Sequence, residues 1–214
     1  MIIKRPVLTS SILLLGPTGV GKSPLGDQIE KNGFQGKRCF HFDFGHELRS
    51  IAELDVPPGG FKQKDLSFIR DVLEKGLLLE NEHFHIAEKI ICYFIRRNDF
   101  RKDNILILNG LPRHVAQAKD MNSIVAVHKL VVLECKPEDI FKRIEKNTGR
   151  DRTGRIDDSL EMITGKLEIF KDRTTPLIGY YARGGCDIFK IDVTATATPE
   201  NIYNAFIASY AGQS

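Results

Sequence analysis

The run Gly16-Pro-Thr-Gly-Val-Gly-Lys22-Ser23 constrains this chain more than any other segment. It follows directly on the apolar stretch Ile12 to Leu15 and opens an amphipathic helix over 21–31. Glycines at these spacings let the backbone turn its N–H groups inward around phosphate oxygens, and the helix N-terminus adds the positive end of its dipole. In the G-x-x-x-x-G-K-S/T pattern the lysine reaches the outer phosphates and the hydroxyl can hold Mg²⁺. Gly16, Pro17, Thr18, Gly19, Val20, Gly21, Lys22 and Ser23 are therefore read as a nucleotide-binding loop, with Ser23 as the metal-ligating residue. Pro24 falls in the first helical turn, where its missing N–H costs little.

A strand, a glycine turn and a helix imply a layered α/β fold, and the rest of the chain agrees. Short continuous apolar runs recur at Ile12 to Leu15, Cys39 to Phe42, Ile105 to Leu108, Leu130 to Leu133 and Ile188 to Ile191. Continuous rather than alternating runs are those of parallel strands covered on both faces by helices. Helices are expected over 21–31, 64–75, 83–97, 116–124, 138–146, 159–183 and 199–210, with Pro137 and Pro199 marking two of the starts. The strand spacing is uneven: about sixty residues separate the second run from the third, far more than one crossover helix needs. A helical insertion is expected over 47–99, flanked by a core of 1–46 and 100–214. The segment 147–158, polar and without apolar periodicity, is expected to be a short loop or lid.

Composition narrows the class of partner. The chain has 214 residues, 28% charged and 42% hydrophobic, and its 31 bases against 28 acids leave a net charge of +3. That is enough chain for a full core, and too little charge to attract nucleic acid or a membrane surface overall. No stretch approaches the roughly 18 consecutive apolar residues that a span requires. Lys4 and Arg5 precede a run too short for a signal peptide, and Cys39, Cys92, Cys135 and Cys186 lack paired spacing. A cytoplasmic monomer that handles small-molecule nucleotides, with neither nucleic acid nor membrane as partner, is the expectation. Phe40, Phe42 and Phe44 alternate with His41 and Asp43 as strand packing does, and His114 is read as exposed.

Further motifs fall in order along the chain. Gly110-Leu-Pro-Arg113 with Gln117-Ala118 resembles the D-G-F-P-R…Q-A signature of adenylate kinases and related nucleoside monophosphate kinases. Gly45-His-Glu-Leu-Arg49 resembles the family's T-G-D-x-L-R, and Lys75-Gly-Leu-Leu78 its K-x-G-x-L-V. Gly154-Arg155-Ile-Asp157-Asp158 is similar to the G-R-x-D-D of the lid, and Thr175-Pro-Leu-Ile178 with Tyr180-Tyr181 to T-x-P-L-I-x-Y-Y. The resemblance implies a P-loop NTPase fold, three-layered α/β/α with a five-stranded parallel sheet, an acceptor-binding helical insertion and a short lid. It implies ATP and Mg²⁺ as cofactors and transfer of the γ-phosphoryl group to a nucleoside monophosphate, AMP foremost. Arg49 and Arg113 would then hold the acceptor's phosphate, Gln117 would read adenine, and Arg143, Arg152 and Arg155 would close over the moving group. Lys22, Arg113, Arg143 and Arg155 are the expected catalytic residues.

The physics suits that division. Phosphoryl transfer asks a protein mainly for alignment and charge cancellation, and guanidinium forks grip phosphate oxygens in pairs. Between Lys142 and Arg155 six bases face only Glu145 and Asp151. The chain also departs from the family pattern. Asn109 and His46 replace two acids that hold the water shell of Mg²⁺, leaving Asp43 as the nearest carboxylate. Phe44 replaces a threonine at the acceptor. Lys166, still a candidate nucleotide contact, replaces an arginine of the helix after the lid and loses its bidentate fork. These changes leave two other readings open: a nucleotide-binding protein without turnover, and a kinase for another small phosphorylated or hydroxylated acceptor.

Overall fold

In a computed structural model of the chain, described here over residues 9–75, 79–151 and 159–212, the five apolar runs become one sheet. Strands β1 (Thr9–Leu15), β2 (Cys39–Asp43), β3 (Ile105–Asn109), β4 (Val125–Glu134) and β5 (Asp187–Asp192) lie in the order β2-β3-β1-β4-β5, every neighbouring pair parallel. Each strand's side chains divide by parity. Leu13, Leu15, Phe40, Phe42, Leu106 and Leu108 enter one core, while Ile12, Leu14, Cys39, Ile105 and Ile107 enter the other. Both faces are apolar, which is why the runs read as continuous.

Helices α1 (Lys22–Asn32) and α9 (Pro199–Ala211) cover the second face. Between β2 and β3 run α2 (Phe44–Ala52), α3 (Gln63–Glu74) and α4 (Phe84–Arg97), which join the core of the first face. A 3₁₀ turn, Asn81–His83, leads into α4. The remaining crossovers carry α5 (Val115–Met121), α6 (Pro137–Glu145), α7 (Leu160–Ile169) and α8 (Pro176–Arg183). Two differences from the sequence reading have physical causes. The expected helix over 159–183 is broken by a π-helical turn, Phe170–Thr174, closed by Thr175 N–H on the Phe170 carbonyl at 2.9 Å. Helix α2 begins three residues before the expected insertion, because Asp43 ends β2 and at once caps α2 by accepting from His46 N–H at 3.0 Å. Among the described residues no helix is long and apolar enough to cross a membrane.

Asp65 ties the helical insertion together. Its buried carboxylate takes the Lys62 N–H at 2.7 Å, capping α3, and the Lys89 ammonium of α4 at 2.6 Å. Burial raises its pKa, but the Lys89 and Lys62 hydrogen bonds outweigh that and hold it below the ordinary carboxylate value. A depressed folded pKa means that the unfolded state takes up the proton first, so this stabilisation is complete above the ordinary value and fades as pH falls. Asp65→Ala is expected to cost about 3 kcal/mol near neutrality, the sum of a lost cap and a stranded lysine. Urea unfolding at pH 7 and at pH 3 checks this, with the gap between variant and parent narrowing at the lower pH.

Candidate functional site

The glycine loop turns between β1 and α1 as its sequence requires. Gly16, Gly19 and Gly21 have φ of 154, 77 and 108°, a region that side chains avoid. Space forbids a side chain as well: a Cβ on Gly16 would lie 2.8 Å from the Leu133 carbonyl, and one on Gly21 2.9 Å from Ile202. No side chain caps α1 at Gly21, which leaves the first-turn N–H groups available to an anion. Lys22 Nζ lies across the loop and donates to the carbonyls of Gly16 and Pro17, each at 2.7 Å.

Arg143, the most voluminous fully buried side chain among the described residues, stands behind this loop. From α6 it donates to the carbonyls of Gly19 at 3.3 Å, Thr194 at 2.9 Å and Ala197 at 2.7 Å. It is thus a strut between the phosphate loop and the β5–α9 connection, where the family pattern would have it over the moving phosphoryl group. Burial lowers its pKa, partly opposed by Cys135 and Asp151.

At the loop's mouth the parity of β2 settles what sequence left open. Asp43 shares the face of Cys39 and His41, the α1 side, and is the register partner of Asn109. The Ser23 hydroxyl donates to Asp43 Oδ2 at 2.6 Å, and the Asn109 amide donates to Asp43 Oδ2 at 2.8 Å and to Ser23 Oγ at 3.0 Å. Burial pushes the Asp43 pKa up, but hydrogen bonds from Ser23 and the His46 N–H, with the fields of His41 and Arg49, bring it below the usual value. An ionised carboxylate therefore sits against the loop's hydroxyl. His46 contributes its backbone N–H to this group. Its exposed side chain turns along α2 toward Ser50, at 3.5 Å.

Asp43 and Ser23 line a polar cavity of about 490 Å³, together with His41, His46, Arg49 and Asp151. Arg113, after β3, donates from Nε to the Gly110 carbonyl at 3.0 Å. Burial lowers its pKa and Asp43 raises it, so the two feel one another across the mouth. Neither Arg49 nor Arg113 has an ion-pair partner among the described residues. Gln117 is buried, with both amide atoms engaged: Oε1 accepts from Arg113 N–H at 2.9 Å and Nε2 donates to the Leu79 carbonyl at 2.7 Å. Each of these atoms can make one more bond, but the residue is 1% exposed, so a base edge meets this amide only if its surroundings move.

His114, expected to be exposed, is half-buried. It caps α5 by accepting from Gln117 N–H at 3.4 Å. Burial and then Arg173 lower its pKa, so the ring is neutral near pH 7. Phe44 points into the core, its ring 6.2 Å from that of Phe42. Lys166 lies partly buried on α7. Arg152, Arg155, Asp157 and Asp158 fall outside the described residues, as do Gly76, Leu77 and Leu78.

Comparison with known proteins bears on this arrangement. A family model described as AAA domain matches residues 15–164, from the end of β1 into α7. An adenylate kinase of Thermus thermophilus is 25% identical over 199 residues, covering 90% of this chain and 92% of its own. One of Rickettsia bellii is 29% identical over 208 residues, covering 85% and 90%. A solved gluconokinase from Sinorhizobium meliloti 1021 shares the fold with a TM-score of 0.53 at 18% identity, over 97% of this chain and 95% of that one.

Proposed function

This chain belongs to the AAA domain family and carries a P-loop kinase domain, and we propose that it moves the γ-phosphoryl group of ATP onto a nucleoside monophosphate, with AMP as the acceptor. One observation carries the anionic acceptor. Arg113, sheltered enough that burial lowers its pKa, and Arg49, exposed on α2 beside the mouth, have no carboxylate ion pair among the described residues, and a sheltered cation without an anion is costly. A phosphorylated acceptor supplies that anion. The adenylate kinases to which the chain is similar favour AMP among such acceptors.

The residues divide the work in a way that needs no side-chain base. A monophosphate is largely dianionic near neutrality, its second pKa being about 6, so its oxygen attacks without losing a proton to the protein. The loop's N–H groups and Lys22 hold the donor's outer phosphates, while Arg49 and Arg113 set the acceptor oxygen in line. Arg143 keeps the loop in shape from behind. Mg²⁺ suits the mouth, since Ser23 and Asp43 offer hard oxygen ligands 2.6 Å apart, one of them ionised. When bound there it would neutralise charge on the donor's phosphates. Asn109, in place of the family acid, orients the Asp43 carboxylate through its amide.

The test is transfer from Mg-ATP to AMP, GMP, CMP, UMP and dTMP, with products separated by ion exchange. ADP from AMP, at least tenfold above the other four, is expected. Transfer to none of the five would overturn the proposal.

A further inference from the structure

Three segments far apart in sequence close into one hydrogen-bonded ring around Arg113. Its N–H is held by Gln117 Oε1, and Gln117 Nε2 reaches the Leu79 carbonyl. The next residue, Glu80, receives both arms of Arg173, Nη1 on Oε1 and Nη2 on Oε2, each at 2.7 Å. Arg173 is followed by Thr174, whose hydroxyl donates to the Arg113 carbonyl at 2.8 Å and closes the circuit. Both backbone polar groups of Arg113 are thus spoken for, one from each side.

The third segment is the π-helical turn. A turn with one residue too many resets the helix phase, and such turns cluster at functional sites. Here Arg173 and Thr174 face the acceptor loop, while Leu177 and Tyr181, just beyond, return to the core. The pair Glu80–Arg173 is 50% and 37% exposed, too open to act as a strut. An exposed pair of this geometry biases an equilibrium by about fivefold, which suits a part that must release and re-form.

We propose that Glu80 and Arg173 are positioning residues that hold Arg113 for the acceptor's phosphate, and that through them the π turn after α7 and the helical insertion report on one another. This rests on the reading of Arg113 as an acceptor-phosphate ligand. The ring also tightens the acceptor site without touching the donor, since none of its members lies on the phosphate loop.

The experiment compares the parent chain with Arg173→Met, which keeps length and loses the fork, and with the exchanged pair Glu80→Arg/Arg173→Glu. Arg173→Met should raise KM for the acceptor about fivefold while KM for ATP and the melting temperature hold. The exchanged pair should return acceptor KM to within about twofold of the parent. Amide hydrogen exchange supplies a readout independent of turnover: Arg173→Met should speed exchange in residues 113–118 and around Leu79, but not in 16–25. Unchanged exchange at 113–118, or an equal rise in both KM values, would overturn the ring. If exchange responds as expected while the parent phosphorylates no monophosphate, the ring stands as a structural coupling, and both the kinase reading and the positioning role built on it fall.

Discussion

Lys22→Ala lowers kcat/KM for phosphoryl transfer by about a thousandfold, equivalent to about 4 kcal/mol of transition-state stabilisation, with the melting temperature nearly unchanged. The size follows from where charge moves. As the γ-phosphoryl group leaves, negative charge spreads over its oxygens and onto the departing phosphate. Lys22 is the cation at the first position of α1, beside loop N–H groups that carry only partial charge. Its present bonds to the Gly16 and Pro17 carbonyls are local and only partly buried, so alanine, a good helix former, is tolerated there. A coupled assay for ADP with a parallel thermal melt reads both effects. A variant of normal activity would dismiss the loop as the donor site.

Asp43→Asn lowers turnover by about a hundredfold and raises the Mg²⁺ concentration needed for half-maximal rate by a comparable factor. The substitution separates chemistry from folding. Asparagine caps a helix as well as aspartate, so the bond from His46 N–H survives and α2 keeps its start. What disappears is the ionised oxygen against Ser23. A magnesium titration at saturating ATP checks it, and a hundredfold loss that no magnesium recovers would point to a role for Asp43 other than metal handling.

The same geometry explains why Asn109 is tolerated where the adenylate kinase signature has an acid. With Asp43 ionised and 2.8 Å from residue 109, a second carboxylate there would face like charge at contact distance and force one of the two to hold a proton. An amide instead donates to its neighbour. Asp43 and Asn109 therefore work as a pair, the carboxylate supplying the charge and the amide holding it in place.

Much of this was legible in the sequence because it depended on local pattern. The five strands, the loop, and the insertion between β2 and β3 follow from apolar runs, glycines and an overlong crossover. The ordered motifs located Arg49 and Arg113. What was illegible depended on direction and on distant partners. Parity sets Asp43 opposite Phe40 and Phe42, but which face α1 covers, and the meeting with Asn109, come only from the folded sheet and the register of β2 against β3. Arg143 lies in the basic stretch 142–155 and is expected to close over the moving group, and only the β5–α9 carbonyls, some fifty residues on, turn it inward. Glu80, Arg173 and Thr174 belong to no motif and carry no local signal. The π turn that aims the last two is invisible to a search for helical period, which sees 159–183 as one helix.

The strut behind the phosphate loop has a consequence for how the protein comes into being. Gly19 is braced through Arg143 to Thr194 and Ala197, and Gly21 leaves no room between itself and Ile202. The loop is synthesised long before its backing. Until 194–202 have left the ribosome, the carbonyls that hold Arg143 are missing and the buried guanidinium has nowhere to settle. A chain that has emerged only as far as β4 therefore has the sequence of the phosphate loop without its backing, and the loop's shape is acquired once 194–202 have followed.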